Sequence, residues 1–186
     1  LKFLESQEYW SSFARELRDP GKKKIIAELR TYKGIDVSDA YAVGFSNGGS
    51  LVNLIGKSID SFKAIAPVVS HQIVSTAALD IDHPLSILQI NGAVDRLIPI
   101  NGGNSAVGTF VSVQESAENW AETQGCDEQP QVTSSQWADV TVTISEYPSC
   151  STDQRVVSVV AADTGHGFQG EANTVVTEEI LNFFGL

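Results

Sequence analysis

The stretch Ala40-Tyr41-Ala42-Val43-Gly44-Phe45-Ser46-Asn47-Gly48 joins a short apolar run to a segment of helical character through two glycines that bracket a serine. Residues 40–43 predict a buried strand, and residues 47–59 predict a helix. Gly44-Phe45-Ser46-Asn47-Gly48 fits G-x-S-x-G, a pattern that ordinary Gly and Ser usage produces in roughly one chain of this length in fifteen. The pattern alone therefore decides little. Its place decides more, because a sharp turn between a strand and a helix pushes a serine out above the end of a sheet. A Cβ at position 44 or 48 is expected to crowd the adjoining strand and helix, which gives both glycines a reason.

Working outward, Trp10, Phe13, Ala14 and Leu17 recur at i, i+3, i+4 and i+7, predicting a helix that stops at Asp19-Pro20-Gly21. Ile25, Ile26, Leu29 and Tyr32 predict a second helix ended by Gly34. Beyond the serine, residues 62–69 and 85–90 are short apolar runs bounded by turn residues. Residues 101–105 read as a Gly/Asn/Ser-rich loop and residues 113–124 as a helix carrying Trp120. Val140, Val142 and Ile144 alternate with Thr141, Thr143 and Ser145, residues 148–153 make a turn, and residues 155–161 form a continuous apolar strand, together a hairpin-like pair. Residues 171–184, with Val175, Ile180, Phe183 and Phe184, predict a closing helix that docks on the sheet. The alternation of strands and helices predicts an α/β fold: a mostly parallel sheet with helices on both faces, in one domain over 1–186. There is no internal repeat, low-complexity tract or linker.

With 12 basic against 23 acidic residues, the formal charge of -11 repels phosphate backbones and anionic lipid. Nucleic acid is therefore not an expected partner. Lys22, Lys23 and Lys24 form the only basic run and are expected to be a solvated helix face. No apolar run approaches the ~20 residues that span a bilayer. Two cysteines and three scattered histidines lack zinc-site spacing, so neither a metal nor an organic cofactor is expected.

A serine hydroxyl is a weak nucleophile until a base takes its proton. His83 precedes the 85–90 strand, at the wrong end of a parallel sheet to meet Ser46, and is expected in a surface turn. His71 follows the 62–69 strand at the correct end but nearer the rim. His166 follows the 155–161 strand between Gly165 and Gly167, whose small flanks let an imidazole swing over the sheet edge, so it is the expected base. Asp95 follows the 85–90 strand and is the expected acid. Asp163 is its rival, three residues before His166 and more suited to forming the turn. The chain order serine, acid, histidine is the one found in α/β-hydrolases.

Gly44-Phe45-Ser46-Asn47-Gly48-Gly49, Ala64-Ile65-Ala66-Pro67-Val68, Asn91-Gly92-Ala93-Val94-Asp95-Arg96-Leu97-Ile98-Pro99 and Gly165-His166-Gly167 follow one another as in a known family. From about residue 36 onward the chain resembles the polyhydroxybutyrate depolymerase and feruloyl esterase-like family of α/β-hydrolases. The resemblance implies Ser46, Asp95 and His166 as a catalytic triad. Cys126 and Cys150 match a cysteine pair of this family, implying a disulfide that closes a loop of about 25 residues and restricts the unfolded chain by roughly 3 kcal/mol. Such a bridge implies an oxidising compartment, the periplasm or the medium. This chain departs from the family pattern at Ser50, where the family usually has Met, at Phe168-Gln169, where Trp-Pro is common, and at Asn91, where a His is usual.

The expected chemistry is hydrolysis of carboxylic esters, of feruloyl, acetyl or hydroxyalkanoate type, through an acyl-enzyme, with the Asn47 N–H as one oxyanion donor. Small or polymeric esters are the expected substrates. A non-catalytic binding module of the same fold, or a peptidase using the same triad, are the alternatives. The chain opens at Leu1 without an initiator Met or signal peptide, the pattern of a processed product or a fragment. Because no strand before Ser46 ends in a Gly-rich turn, the natural protein is expected to extend N-terminally by at least three strands that carry the second oxyanion donor.

Overall fold

The computed structural model describes residues 28, 31–33 and 39–186. The helices expected over 10–17 and 25–32 therefore lie outside the described residues, apart from positions 28, 31 and 32. In chain order the elements are β1 (Ala40–Phe45), α1 (Asn47–Ser58), β2 (Phe62–Val68), α2 (Val74–Ala77), β3 (Ser86–Gly92), β4 (Gly103–Ser105), β5 (Gly108–Phe110) and α3 (Val113–Thr123). They continue with β6 (Gln131–Trp137), β7 (Val140–Tyr147), β8 (Val156–Ala161) and α4 (Gly170–Phe184).

Strands covered on both faces lose their polar alternation and become continuous apolar runs. β2, β3 and β8 are buried along most of their length, polar Gln89, Asn91 and Ser158 included, and they occupy the middle of a six-stranded sheet ordered β1-β2-β3-β8-β7-β6. The four strands β1, β2, β3 and β8 are mutually parallel, while β7 and β6 extend the sheet antiparallel. This is the expected mostly parallel α/β sheet. Along each strand successive side chains point to opposite faces. Ala64, Ala66, Val68, Leu88, Ile90, Val157 and Val159 pack against Ala172, Val176, Ile180 and Phe184 of α4. Ile65, Ile87 and Val156 pack on the other face against Val52 of α1 and Ala117, Trp120 and Ala121 of α3.

Four elements were not expected from the residues: β4, β5, β6 and α2. β6 has one apolar side chain, Val132, before Trp137, so no hydrophobic alternation marks it; pairing with β7 over the whole of Gln131–Trp137 makes it a strand. The loop expected over 101–105 contains β4, which pairs antiparallel with β5. The short α2 is held by Thr76 and Ala77 N–H groups donating to the Ile73 carbonyl at 2.9 Å. Cys126 and Cys150 form a disulfide that ties the end of α3 to the turn after β7. Among the described residues no helix is long and apolar enough to cross a membrane.

The helices α1 and α3 meet through polar groups as well as apolar ones. Trp120 is fully buried and donates its indole N–H to Asn53 Oδ1 at 3.2 Å, while Asn53 Nδ2 donates to the Gly49 carbonyl at 3.2 Å. Lys57 is buried, donates to Asn119 Oδ1 at 2.8 Å and lies 4.5 Å from the Trp120 ring centre. Burial lowers its pKa from the ordinary 10.5 to about 8, partly offset by Asp80 and Glu122. In the unfolded chain the same group titrates near 10.5, so between about pH 8 and 10.5 unfolding takes up a proton and alkali favours the folded state. Below about pH 8 the folded protein carries the buried charge, and the cost of burying it is present in full. The stability difference between wild type and Lys57→Met should therefore move in favour of wild type as pH rises from 8 to 10.5. Urea unfolding at stepped pH measures it, and a flat difference would show that Lys57 keeps its ordinary proton affinity.

Candidate active site

Ser46 occupies the single residue between β1 and α1, with φ 54° and ψ −117°. A left-handed φ is costly for a side-chain-bearing residue and persists only where the surroundings over-determine it. Here the surroundings are close backbone contacts. A Cβ on Gly44 would lie 2.1 Å from the Gly48 carbonyl oxygen, and one on Gly49 would lie 2.8 Å from Ser70 Cβ and 3.2 Å from the Val68 carbonyl oxygen. The Ser46 N–H donates to the Val68 carbonyl at 2.9 Å, which fixes the turn against β2. Gly48 corrects the sequence expectation: nothing lies within 4 Å of a Cβ added there, and Gly49 is the second residue whose smallness the packing requires.

Serine at a helix N-cap usually turns its hydroxyl back onto the first helical N–H groups. The Ser46 side chain makes no such bond. The strained turn aims it outward instead, and Ser46 Oγ lies 2.7 Å from His166 Nε2.

His166 sits in the loop between β8 and α4, with its side chain 23% exposed. Its Nδ1 lies 2.7 Å from Asp95 Oδ2. An ionised carboxylate only accepts hydrogen bonds, so Nδ1 carries the proton and Nε2 is left to accept from the Ser46 hydroxyl. Gly167, at φ 148°, lets the loop pass Phe45, whose ring meets the imidazole edge-on at 6.2 Å. The Asp95 carboxylate is 2% exposed. Its other oxygen accepts from the Leu97 and Ile98 N–H groups at 2.8 and 3.0 Å, so the buried group is satisfied from both sides. Gly92 brings the two loops together: a Cβ there would lie 2.3 Å from the carbonyl oxygens of both Thr164 and Gly165. Val94 N–H donates to the Thr164 carbonyl at 3.0 Å across the same junction.

The remaining candidates lie elsewhere. His71 is not at the rim but fully buried, edge-on to Phe110 at 5.3 Å. Burial lowers its pKa to about 4, against weaker opposition from the Asn91 side chain, the Val111 backbone and Asp95. Neither ring nitrogen makes a hydrogen bond of good geometry, and the ring is neutral at pH 7. His83 is half-buried, against the expectation of a surface turn, with its Nε2 3.0 Å from the Gly56 carbonyl oxygen. Asp163 is an exposed residue at φ 52°, a turn position. Among the described residues no group of three or more His, Cys, Asp or Glu side chains could hold a metal ion. A cleft of about 540 Å³ between α3 and the β6–β8 part of the sheet is not lined by Ser46, Asp95 or His166.

The residues that residue-by-residue reasoning missed are Leu97 and Ile98, which act through their main chain, and Gly49 and Gly92, whose value is the side chain they lack. Backbone donors carry no signal in residue type. The two glycines of the serine turn have opposite expected responses. Gly49→Ala should lose about 1–3 kcal/mol of stability through overpacking against Ser70. Gly48→Ala meets no neighbour and should match or exceed wild type, since Ala is better than Gly inside a helix by up to about 1 kcal/mol. Thermal denaturation of both variants checks the pair, and equal losses would sink the packing argument.

No family model matches the chain. Feruloyl esterase B of Piromyces equi is 30% identical over 58% of this chain and 22% of its own length. Putative esterase NocK of Nocardia uniformis subsp. tsuyamanensis is 25% identical over 80% of this chain and 47% of its own. The chain thus spans less than half the length of either relative. Among solved structures, a putative dienelactone hydrolase from Klebsiella pneumoniae subsp. pneumoniae MGH 78578 superposes with a TM-score of 0.52 at 14% identity, over 88% of this chain and 58% of that one. The parallel sheet, the strand–serine–helix turn and the structural likeness together give the chain an α/β-hydrolase fold.

Proposed function

We propose that this chain is the catalytic unit of a serine-dependent carboxylic ester hydrolase. One observation carries the reading: the unbroken path from Ser46 Oγ through His166 to Asp95, with 2.7 Å at each junction. On that path His166 Nε2 takes the Ser46 proton as Oγ attacks the ester carbonyl, and Asp95 stabilises the imidazolium that forms. His166 then returns the proton to the departing alcohol. Water, deprotonated by the same nitrogen, hydrolyses the acyl-enzyme and frees Ser46. Asn47 is the first residue of α1, so its N–H has no partner within the helix and is the one oxyanion donor assigned.

The substrate reading is an ester of feruloyl, acetyl or hydroxyalkanoate type, supported by the family resemblance and the name of the Piromyces relative. Exposed Phe45 beside His166, with exposed Val94 and Leu97 flanking Asp95, supplies apolar surface for an acyl group. The Cys126–Cys150 bridge supports export to the periplasm or medium.

Hydrolysis of an aryl acetate, followed by a panel of feruloyl and hydroxyalkanoate esters, tests the proposal. Ser46→Ala and His166→Ala should each lower kcat by several orders of magnitude at unchanged fold, and Asp95→Asn should cost somewhat less. His71→Ala opens a cavity beside Phe110, so its effect should be lost stability and not lost turnover per folded molecule. Ester turnover that survives Ser46→Ala would overturn the reading.

A further inference from the structure

β6 closes one side of the sheet, and among the described residues it is hydrogen-bonded to β7 alone. A strand in that position directs every second pair of N–H and C=O groups outward, a ready template for another strand. Such edges are commonly guarded by lysine, by an internal proline or by a bulge. β6 has none of these. Residues 129–138 carry no charge although the chain as a whole carries -11, and the six residues Gln131 to Gln136 are all exposed. The register with β7 runs without a shift from Gln131↔Glu146 to Trp137↔Val140, so no bulge interrupts the strand over its full length.

We infer that β6 is a homodimer contact, pairing antiparallel with β6 of a second copy to make one continuous sheet. Two identical strands related by a twofold axis must place one residue opposite itself, because opposed side chains share a face. Overlap of all seven residues puts Ser134 at the axis, Thr133 opposite Ser135 of the second copy, and Val132 opposite its Gln136. Every opposed pair is uncharged, and the hydroxyl pairs are of the kind that stabilise a ladder. No like charges meet within the strand, which is the complementarity a chain of this net charge needs in order to approach itself. Asp139 of one copy does come near Glu128 of the other beyond each strand end, so added salt strengthens the contact by screening. A single strand pair about 24 Å long buries less than a standard interface, so the dimer is a concentration-dependent one in roughly the micromolar to hundred-micromolar range.

Sedimentation equilibrium on the protein from about 1 to 500 µM, a span chosen to bracket that range, tests the contact. Wild type should pass from monomer to dimer, more readily at 0.5 M salt than at low salt. Thr133→Lys combined with Ser135→Lys sets like charges opposite one another twice and should weaken the dimer at least about tenfold. Thr133→Glu combined with Ser135→Lys sets opposite charges at the same two places and should restore or tighten it. These positions are exposed and away from Ser46, so thermal unfolding and ester turnover of the monomer serve as controls for folding. A monomer at every concentration, a dimer weakened by salt, a dimer indifferent to the paired lysines, or one weakened equally by both double variants would overturn the assignment.

Discussion

Parallel pairing sends β1, β2, β3 and β8 out of the sheet at one edge, and everything proposed about the site depends on what happens in the few residues beyond it. Ser46, Asp95 and His166 leave from the ends of three different strands, yet they meet within single hydrogen bonds. Side chains on independent loops would not hold that geometry against their own entropy. Here the loops are pinned to one another through the main chain. Ser46 N–H bonds to Val68, Val69 N–H to Ile90 at 2.7 Å, and Ala93 N–H to Ala161 at 2.9 Å, so each strand end is anchored on its neighbour.

Strain gathers at the same edge. Ser46 and Val69 both have left-handed φ values, 54° and 44°, and Val69 is a fully buried β-branched residue for which that conformation is rare. Such conformations cost on the order of 1–3 kcal/mol each and endure where packing leaves no alternative. At Ser46 the packing is the close approach of β1 to α1 across Gly44 and Gly49. Its effect is to detach the hydroxyl from the helix cap it would otherwise make and turn it toward His166.

Beneath the edge, polar side chains decide how α3 docks. Gln89, in the middle of β3, is buried; it donates to the Val113 carbonyl and Ser158 Oγ at 2.8 and 2.9 Å and accepts from Ser116 Oγ at 2.9 Å. A buried amide left unpaired would cost on the order of 1–3 kcal/mol, so the network admits one seating of the helix and penalises others. Ser112 caps the same helix, accepting from Glu115 N–H at 3.0 Å. Dimerisation through β6 would use the opposite resource, backbone groups at the sheet edge that the fold leaves free to pair.

The strands and helices of the parallel core were evident from residue order because burial on both faces imposes continuous apolar runs, and amphipathic helices impose a 3.6-residue period. β2 and α3 came within a residue of their expected ends for that reason. β6 was not evident, since a strand exposed on both faces is under no hydrophobic constraint and takes its form from pairing with β7. Likewise G-x-S-x-G and its partners nominated Ser46, Asp95 and His166, because a hydroxyl nucleophile requires a base and an acid that leave the sheet at the same edge. Which histidine meets the serine was a matter of three-dimensional distance: His71 emerges at the same edge but is buried against Phe110, whereas His166 is carried to Ser46 by a loop that Gly92 and Gly167 allow to close. Residue types and their periodicity therefore determined the layers and the candidate chemistry by themselves. The close contacts that aim Ser46, the main-chain donors that hold Asp95 and the choice among histidines were decided by the tertiary structure, because they depend on backbone groups and distances that every sequence possesses and only a folded chain arranges.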